Sequence, residues 1–366
     1  MERKQSGRLS WGIALLIAAV VCGLSFLGAK LAKNAWGAPA HGEYRTVSLP
    51  GNAGVQVSGD GFVCYNGSSL TSVSSRGDVE WTFMIGANAS FDAGDTGVAA
   101  WSGKTLTIID RETGTASYLN PMSSDVLSAR TGRKYTAVLL APEHDSTIVL
   151  MENGGRQVDR IALADQTVVD YGFFSNEALF WAMTLDTSGT VPTCTISTYR
   201  PGRTIAGSIK DKEQLMYRVM FQSSQVVCAG TTHLKVYDYT GVEIPARRKL
   251  VYGFYLAAVD DISDNPMMAF VPDAQYGGSN TMHDVRMVRS GLDQMVRMPF
   301  GCTKLVAKGN RVYGFSADGT IMVAEAGSRS VTAFSPNTPP GEVYGVTDDR
   351  VAVIGAGDTA YLVTLP

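Results

Sequence analysis

Histidine is the residue type in this chain best suited to acid–base or metal chemistry. The sequence contains four histidines, which are widely spaced: His41, His144, His233 and His283. His144 and His283 fall in predicted loops, and His233 begins a predicted strand. A metal or acid–base site needs converging ligands, and this spacing by itself does not show convergence. We therefore expect surface or turn histidines.

Two groups of aspartates could supply oxygen ligands to calcium. Asp260, Asp261 and Asp264 occur together in VDDISDNP, and Asp92 and Asp95 are separated by two residues. Neither spacing matches a recognised calcium loop. We interpret them as solvated turn acids, and we assign no catalytic, cofactor-binding or metal-binding residue.

The sequence lacks the motifs of several common enzyme classes. It has no GxSxG nucleophile, no Walker phosphate loop, and no GxGxxG placed between a strand and a helix. Residues 355–358 (GAGD) form a predicted turn between strands, so they offer no helix N-terminus to a phosphate. Residues 76–78 spell Arg-Gly-Asp, but their place between two strand runs predicts a hairpin turn.

The five cysteines are scattered along the chain and form no CxxC pair: Cys22, Cys64, Cys194, Cys228 and Cys302. Their spacing fits no zinc pattern. All except Cys22 lie in or near apolar strand runs, where a free cysteine behaves as a small hydrophobic residue. We predict buried thiols and leave open whether any two form a disulfide.

Charge is distributed unevenly along the chain. The net charge is −3, but residues 1–42 carry +4 and the remainder carries −7. Phosphate recognition needs a basic surface, so the acidic remainder argues against a nucleic-acid partner.

An apolar segment near the start predicts a transmembrane helix. Trp11 to Ala29 is nineteen residues without a charge, and at about 1.5 Å per residue such a helix spans a bilayer core. Three basic residues precede it and favour a cytoplasmic N-terminus, although Lys30 and Lys33 follow it. We expect an uncleaved signal anchor in the cell membrane, with residues 1–10 as a cytoplasmic stub, residues 30–43 as a linker and the rest extracytoplasmic.

Two other kinds of processing remain open for this segment. Residues 27–29 and 38–40 both resemble the small-residue sites that signal peptidase cleaves. A lipoprotein would use Cys22, but Val21 stands where a small residue is expected.

Short apolar runs recur along the rest of the chain, 36 to 48 residues apart. There are eight: 62–65, 98–101, 137–140, 178–181, 226–228, 268–270, 312–315 and 351–354. This period is the length of one four-stranded propeller blade. We predict an all-β fold, an eight-bladed β-propeller over residues 44–366 behind one N-terminal transmembrane helix. Seven blades remain open if the copy after residue 178 is misread, and two packed sandwiches are a further alternative.

Turn signals divide each copy into strands. Asn66-Gly67 predicts a hairpin in which both residues take positive φ, and a strand is expected at residues 242–244, after a Gly turn. Three copies have longer loops, at residues 142–147, 186–193 and 272–283. Insertions in repeat folds map to one rim, which is often the binding rim.

The last copy is incomplete, which makes a prediction about ring closure. Residues 351–366 supply two strands, and Glu43 to Leu49 reads as an isolated strand at the other end. We expect that strand to complete the last blade, so that the ring has no open edge.

The repeat unit resembles that of PQQ-like and WD40-like propellers, most clearly in SLTSVSSRGDVEWTF (69–83) and TLTIIDRETGTASYL (105–119). The whole arrangement resembles uncharacterised DUF5711-like membrane-anchored propeller proteins of Gram-positive bacteria. It is also similar in outline to the propeller scaffold of outer-membrane protein assembly, a lipoprotein whose role we do not carry over. Quinoprotein dehydrogenases share the fold, but their adjacent cysteine pair is missing, so we expect no cofactor.

The function expected from these features is binding or scaffolding at the cell envelope. A protein or cell-wall partner would contact the rim through the long loops. The alternative is an envelope hydrolase or lyase in the central channel, which converging carboxylates or histidines would favour. Trp81, Trp101, Trp181 and the segment Tyr252 to Ala258 are expected to pack between blades rather than bind a ligand.

Overall fold

The computed structural model describes residues 42–366, except for 144, 165, 175–178, 191, 204, 261–263 and 277–280. The described residues form 31 strands and two short 3-10 turns, Pro245–Arg247 and Asp273–Gln275. The all-β class predicted from the sequence is confirmed.

The first half of the chain contains strands of four to seven residues. They are β1 (Tyr44–Ser48), β2 (Gly54–Ser58), β3 (Gly61–Tyr65), β4 (Ser69–Ser74), β5 (Val79–Met84), β6 (Ser90–Ala93), β7 (Gly97–Ser102), β8 (Thr105–Asp110), β9 (Ala116–Pro121), β10 (Val126–Thr131), β11 (Tyr135–Leu140), β12 (Ser146–Glu152), β13 (Gln157–Leu163), β14 (Thr167–Phe173), β15 (Phe180–Asp186), β16 (Thr193–Tyr199) and β17 (Ile205–Asp211).

The second half continues this pattern. Its strands are β18 (Met216–Gln222), β19 (Gln225–Gly230), β20 (His233–Asp238), β21 (Lys249–Leu250), β22 (Phe254–Asp260), β23 (Met267–Pro272), β24 (Met282–Arg289), β25 (Leu292–Lys308), β26 (Arg311–Ser316), β27 (Ile321–Glu325), β28 (Val331–Phe334), β29 (Glu342–Val346), β30 (Val351–Ala356) and β31 (Thr359–Thr364).

The strands pair as antiparallel meanders. Five four-stranded sheets follow chain order: β2–β5, β6–β9, β10–β13, β14–β17 and β18–β21. Strands β22–β28 form one seven-stranded sheet. Within it the 17-residue β25 pairs with β24 through residues 292–297 and Cys302, and with β26 through residues 302–308.

The last sheet takes strands from both ends of the described chain. Its order is β29, β30, β31 and then β1. Strand β1 runs antiparallel to β31, with Tyr44 opposite Val363 and Ser48 opposite Thr359. The first strands β2, β6 and β10 contact one another in succession, and β29 contacts β2. The last sheet therefore lies beside the first.

The apolar runs seen in the sequence fall on the second strand of each four-strand group. In β7, for example, Val98, Ala99 and Ala100 are at most 2% exposed. A strand in the middle of a sheet that is covered on both faces has no polar side, so its residues read as a continuous apolar run instead of alternating.

At two junctions between neighbouring sheets, an aromatic ring of one sheet lies on a turn glycine of the next. A Cβ atom on Gly114 would lie 2.4 Å from Cγ of Trp81 in the preceding sheet, and one on Gly155 would lie 2.2 Å from Cδ2 of Tyr118. The Trp81 indole N–H donates to the Arg111 carbonyl oxygen at 2.8 Å. Both glycines also have positive φ, so no other residue fits these turns easily.

Two local predictions are wrong in detail. Gly67 has φ of +93° but Asn66 does not lie in the left-handed region. The Asn66 side-chain oxygen instead accepts the backbone N–H groups of Ser68 and Ser69, at 3.0 and 2.8 Å. This Asx-type turn closes the hairpin without positive φ at Asn66.

The second prediction that is wrong in detail is the strand expected at residues 242–244. Glu243 forms only an isolated bridge with Tyr237. A 3-10 turn, Pro245–Arg247, follows, and the outer strand is the two-residue β21. Pro245 has no N–H to donate to a ladder, so the strand cannot continue through it.

The expected membrane segment cannot be compared with the fold. Residues 1–10, 11–29 and 30–41 lie outside the described residues. No helix in the described part of the chain is both long enough and apolar enough to cross a membrane.

Candidate functional site

The meander of each sheet places its loops at two opposite ends. The hairpin between the first and second strands lies at one end, which we call the inner-hairpin end. The loop between the second and third strands lies at the other, the long-loop end. The three long loops predicted from the sequence join β11 to β12, β15 to β16 and β23 to β24. All three therefore lie at the long-loop end.

A cavity of about 730 Å³ opens at the inner-hairpin end. Residues of the first strands β2, β6, β10, β14 and β18, or of the hairpins that follow them, line it. Its charged lining is mixed: Asp92, Asp95, Arg130, Arg133, Asp170, Arg218 and Asp264.

Arg130 joins the first strands of three consecutive sheets. Its Nη1 lies 3.0 Å from Oδ1 of Asp92, and its Nη2 lies 3.8 Å from Oδ1 of Asp170. The other oxygen of Asp92 accepts the Thr131 backbone N–H at 3.1 Å. Burial alone would lower the pKa of the Arg130 guanidinium, but the two carboxylates outweigh that effect and raise it. These carboxylates are therefore held as ion-pair partners.

Tyr171 supplies a hydroxyl to the same lining. Its oxygen is 2.7 Å from the Ser128 hydroxyl, and burial raises its pKa, so the phenol stays protonated at neutral pH. No histidine lines the cavity in the part of the chain described. Among the described lining residues, Arg130 thus pairs with two of the aspartates, and Tyr171 pairs with Ser128.

Three of the aspartates weighed as calcium ligands, Asp92, Asp95 and Asp264, line the same cavity, but no three acids of the described residues are grouped suitably for a metal ion. Asp95 is exposed and accepts the Ser58 hydroxyl at 3.4 Å. Asp264 lines the large cavity, and Asp261 lies outside the described residues. Asp260 is only 7% exposed and accepts the Gly309 N–H at 2.7 Å. For Asp260 the expectation of a solvated turn acid is therefore wrong, because it ties one hairpin to the next.

No metal site forms among the described residues, where no three histidine, cysteine or acidic side chains are grouped suitably. His233 begins β20 as predicted, with its Nδ1 3.0 Å from the Thr232 hydroxyl. His283 was expected in a loop but is the second residue of β24. His41 and His144 lie outside the described residues.

The four described cysteines, Cys64, Cys194, Cys228 and Cys302, are free thiols. All except Cys64 are buried. Burial raises the pKa of all four, to about 12 for Cys302. A thiol that stays protonated is a poor nucleophile, so these cysteines act as core residues. Cys22 lies outside the described residues.

A stack of three tyrosines lies at the long-loop end. The ring centroids of Tyr217 and Tyr255 are 5.5 Å apart with the planes 4° from parallel. Tyr276 covers the other side of Tyr255 at 3.8 Å and 28°. Tyr217 and Tyr255 come from the first strands β18 and β22, and Tyr276, which is 42% exposed, from the loop between β23 and β24.

The expectation that Tyr252 to Ala258 packs between sheets is confirmed for Phe254 and Leu256, which belong to a core cluster shared with β18, β19 and β20, and it is wrong for Tyr252. Tyr252 is 73% exposed, and Tyr255 is only partly buried within the stack. Trp81 and Trp181 are buried as expected, at 8% and 7% exposure. The repeat period could have paired Tyr217 with Tyr255, but nothing in the sequence places Tyr276 over them.

Comparison with known proteins finds likeness in structure only. No family model matches the chain, and no curated protein matches it. The WD40 domain of SCAP from fission yeast superimposes with a TM-score of 0.58 at 10% identity, covering 88% of this chain and 98% of that one. BamB from Moraxella catarrhalis gives 0.54 at 13% identity, covering 88% and 98%. A europium-containing methanol dehydrogenase gives 0.51 at 10% identity, covering 87% and 85%.

The chain is a WD40-like and PQQ-like β-propeller. Its four-strand groups are blades, their first strands surround the central channel, and the cavity around Arg130 is one mouth of that channel. The identities are so low that the likeness concerns the architecture alone.

Proposed function

We propose that the chain is a membrane-anchored, extracytoplasmic β-propeller that binds a protein or cell-wall partner at the cell envelope. The observation that carries the binding role is the long-loop face. Three extended loops and the tyrosine stack lie at this end, and Tyr252 and Tyr276 expose their rings there. Tyrosine rings supply large contact area at low entropic cost, and they are enriched at binding surfaces.

We further propose that the ring has eight blades. The seven-stranded sheet counts as two of them, because β25 serves as the fourth strand of one blade and the first strand of the next. Residues 44–366 would then form one closed domain, with β1 completing the last blade. The resemblance to DUF5711-like proteins remains a prediction.

The proposed anchor gives this ring an orientation. Tyr44 lies opposite Val363, near the hairpin between β29 and β30, and therefore at the inner-hairpin end. A helix at residues 11–29 with its N-terminus in the cytoplasm, followed by a linker at residues 30–43, would approach the propeller from that end. The long-loop face would then point away from the membrane.

The second candidate function is an envelope hydrolase or lyase using the channel mouth. The cavity of about 730 Å³ and its aspartates favour it. Against it, Asp92 and Asp170 share the Arg130 guanidinium, so both carboxylates already have a partner within the protein.

Cross-linking of the full chain in native membranes, followed by identification of captured material, tests the binding role. A Tyr252→Ala, Tyr276→Ala variant should lose the captured partner. Met84→Ala is the matched control, because Met84 is 79% exposed but lies on the outer strand β5. Equal capture by both variants would remove the long-loop face as the contact surface. Turnover of a glycan or peptide library, abolished by Asp92→Asn, would favour the enzyme instead.

Membrane topology has its own test. Protease added to intact cells should digest the propeller if it is extracytoplasmic, and carbonate washing should leave the chain in the membrane. Protection from the protease would contradict the proposed localisation.

A further inference from the structure

A cavity of about 530 Å³, separate from the channel mouth, lies at the inner-hairpin end beside the last sheet. The hairpins between β25 and β26 and between β29 and β30 contribute to it. Its lining combines three cationic and three acidic side chains with the buried Tyr313.

The Tyr313 hydroxyl is the first unusual feature of this cavity. Tyr313 is fully buried, and its hydroxyl makes no hydrogen bond of good geometry with a described residue, so its O–H has no acceptor among them. A buried hydroxyl without a partner loses its hydration and gains nothing in return. Burial raises the pKa of Tyr313, while the Arg311 side chain, through hydrogen bonding and charge, and the charge of Arg350 act to lower it. The hydroxyl therefore lies near two guanidinium groups.

Of the three cationic side chains that line the cavity, Arg350 has the fewest partners within the protein. Lys308 pairs with Asp348, and Arg311 lies 3.8 Å from Glu325 while donating to the Pro366 carbonyl oxygen. Among the residues that the structure describes, no ion pair to the Arg350 side chain is formed. The side chain is exposed at the rim of the cavity.

The backbone of Arg350 is the second unusual feature. Its φ is +60°, in the left-handed region, where a side chain crowds the following carbonyl. Two other inner hairpins use glycine for this conformation, Gly59 and Gly309, and the hairpin between β18 and β19 uses the small residues Ser223 and Ser224. Left-handed conformations of large residues cost free energy and cluster at functional sites, so an arginine here needs a reason beyond the turn.

We propose that this cavity binds a small oxyanion, a phosphate or a carboxylate, held by the guanidinium groups of Arg350 and Arg311 and by the Tyr313 hydroxyl. Guanidinium groups match the oxygens of both anions geometrically and always carry charge. The anion would supply the partner that the hydroxyl lacks. This proposal is independent of the membrane anchor and of partner binding at the long-loop face.

Calorimetric titration of the purified full chain in detergent tests the site, with inorganic phosphate and citrate as probes at constant ionic strength. Saturable binding of one probe or both would support the site, and the tighter probe would show which oxyanion it prefers. Arg350→Gln and Tyr313→Phe should each weaken that binding by about tenfold or more, as expected for loss of a charge-assisted or buried hydrogen bond.

Arg329→Gln is the matched control, because it removes the same charge from an exposed turn outside the cavity. It should leave the affinity unchanged. Tyr313→Phe keeps the aromatic ring in the core and so is expected to fold, and Arg350→Gln changes only an exposed side chain. Absence of saturable binding by both probes, or equal weakening by Arg350→Gln and Arg329→Gln, would overturn the proposal.

Discussion

A buried ion pair joins two neighbouring blades and allows a sharp test of the fold's energetics. Lys235 on β20 and Asp211 at the end of β17 lie 2.9 Å apart, with side chains only 3% and 2% exposed. Asp211 also accepts the Glu213 backbone N–H at 2.9 Å and the Gln214 amide at 3.1 Å. Both oxygens of the Asp211 carboxylate therefore accept hydrogen bonds.

Removing one partner should cost far more than removing both. Lys235→Met leaves the Asp211 carboxylate buried without its cation, which we expect to lower the free energy of unfolding by about 3–5 kcal/mol. The Lys235→Met, Asp211→Asn double variant has no buried charge, so it should recover part of that loss. Glu213→Gln is the control, since Glu213 also contacts Lys235 but is 66% exposed. Its expected cost is about 0–1 kcal/mol.

Urea denaturation of the four proteins, followed by tryptophan fluorescence, measures these differences. A cost below about 1 kcal/mol for Lys235→Met, well under the range for a broken buried pair, would refute the reasoning. A double variant that is less stable than the single one would refute it as well.

The Lys235–Asp211 pair also predicts how the free energy of unfolding depends on pH. Burial alone would raise the pKa of Asp211, but the hydrogen bonds from Lys235 and the Glu213 N–H outweigh it and hold the pKa below its usual value. A lowered pKa in the folded state adds stability that is complete above the unfolded value, about 3.9. That contribution is lost as the pH falls through the folded pKa. The acid limb of the stability curve should therefore be less steep in the double variant than in the native chain.

Three further predictions concern packing. Gly114→Ala should lower the free energy of unfolding by about 2 kcal/mol or more, because the new Cβ meets the Trp81 ring at 2.4 Å. Gly59→Ala is its control and should cost about 1 kcal/mol, because Gly59 has positive φ but open space around it. Equal losses in urea denaturation would argue against the ring-on-glycine contact. Tyr313→Phe should raise stability by about 1 kcal/mol in phosphate-free buffer, since it removes an unpaired hydroxyl, and a loss would mean that the hydroxyl has a partner. Cys228, fully shielded, should react with a thiol reagent only at the rate of unfolding, and rapid labelling of the native chain would contradict its burial.

The spacing of apolar runs was enough to find the strands that the fold buries most deeply. A strand covered on both faces needs apolar residues at every position, and that demand is visible along the chain without any knowledge of neighbours. The strand at residues 43–49 lacks such an apolar run, because β1 is a mostly exposed outer strand; it was predicted because the last copy was short of one strand. Turn residues marked most hairpins correctly, although Asn66 and residues 242–244 show that turn type and strand length depend on local hydrogen bonds.

The residues that meet in the candidate sites could not be predicted from the spacing of apolar runs or from turn residues. Asp92, Arg130 and Asp170 meet because they occupy the first strands of successive blades, and the approach of those strands depends on how sheets pack around a channel. Tyr276 reaches Tyr255 only through the path of a long loop, and Asp260 is buried only because the next hairpin lies over it.

The chain's own order of residues thus determined the repeat, the all-β class and the strand that pairs with the end of the chain, since these follow from short-range periodicity. The tertiary structure alone decided which side chains converge, which acids are buried and which tyrosines stack. Those outcomes depend on the relative placement of blades, and single-strand patterns carry no information about that placement.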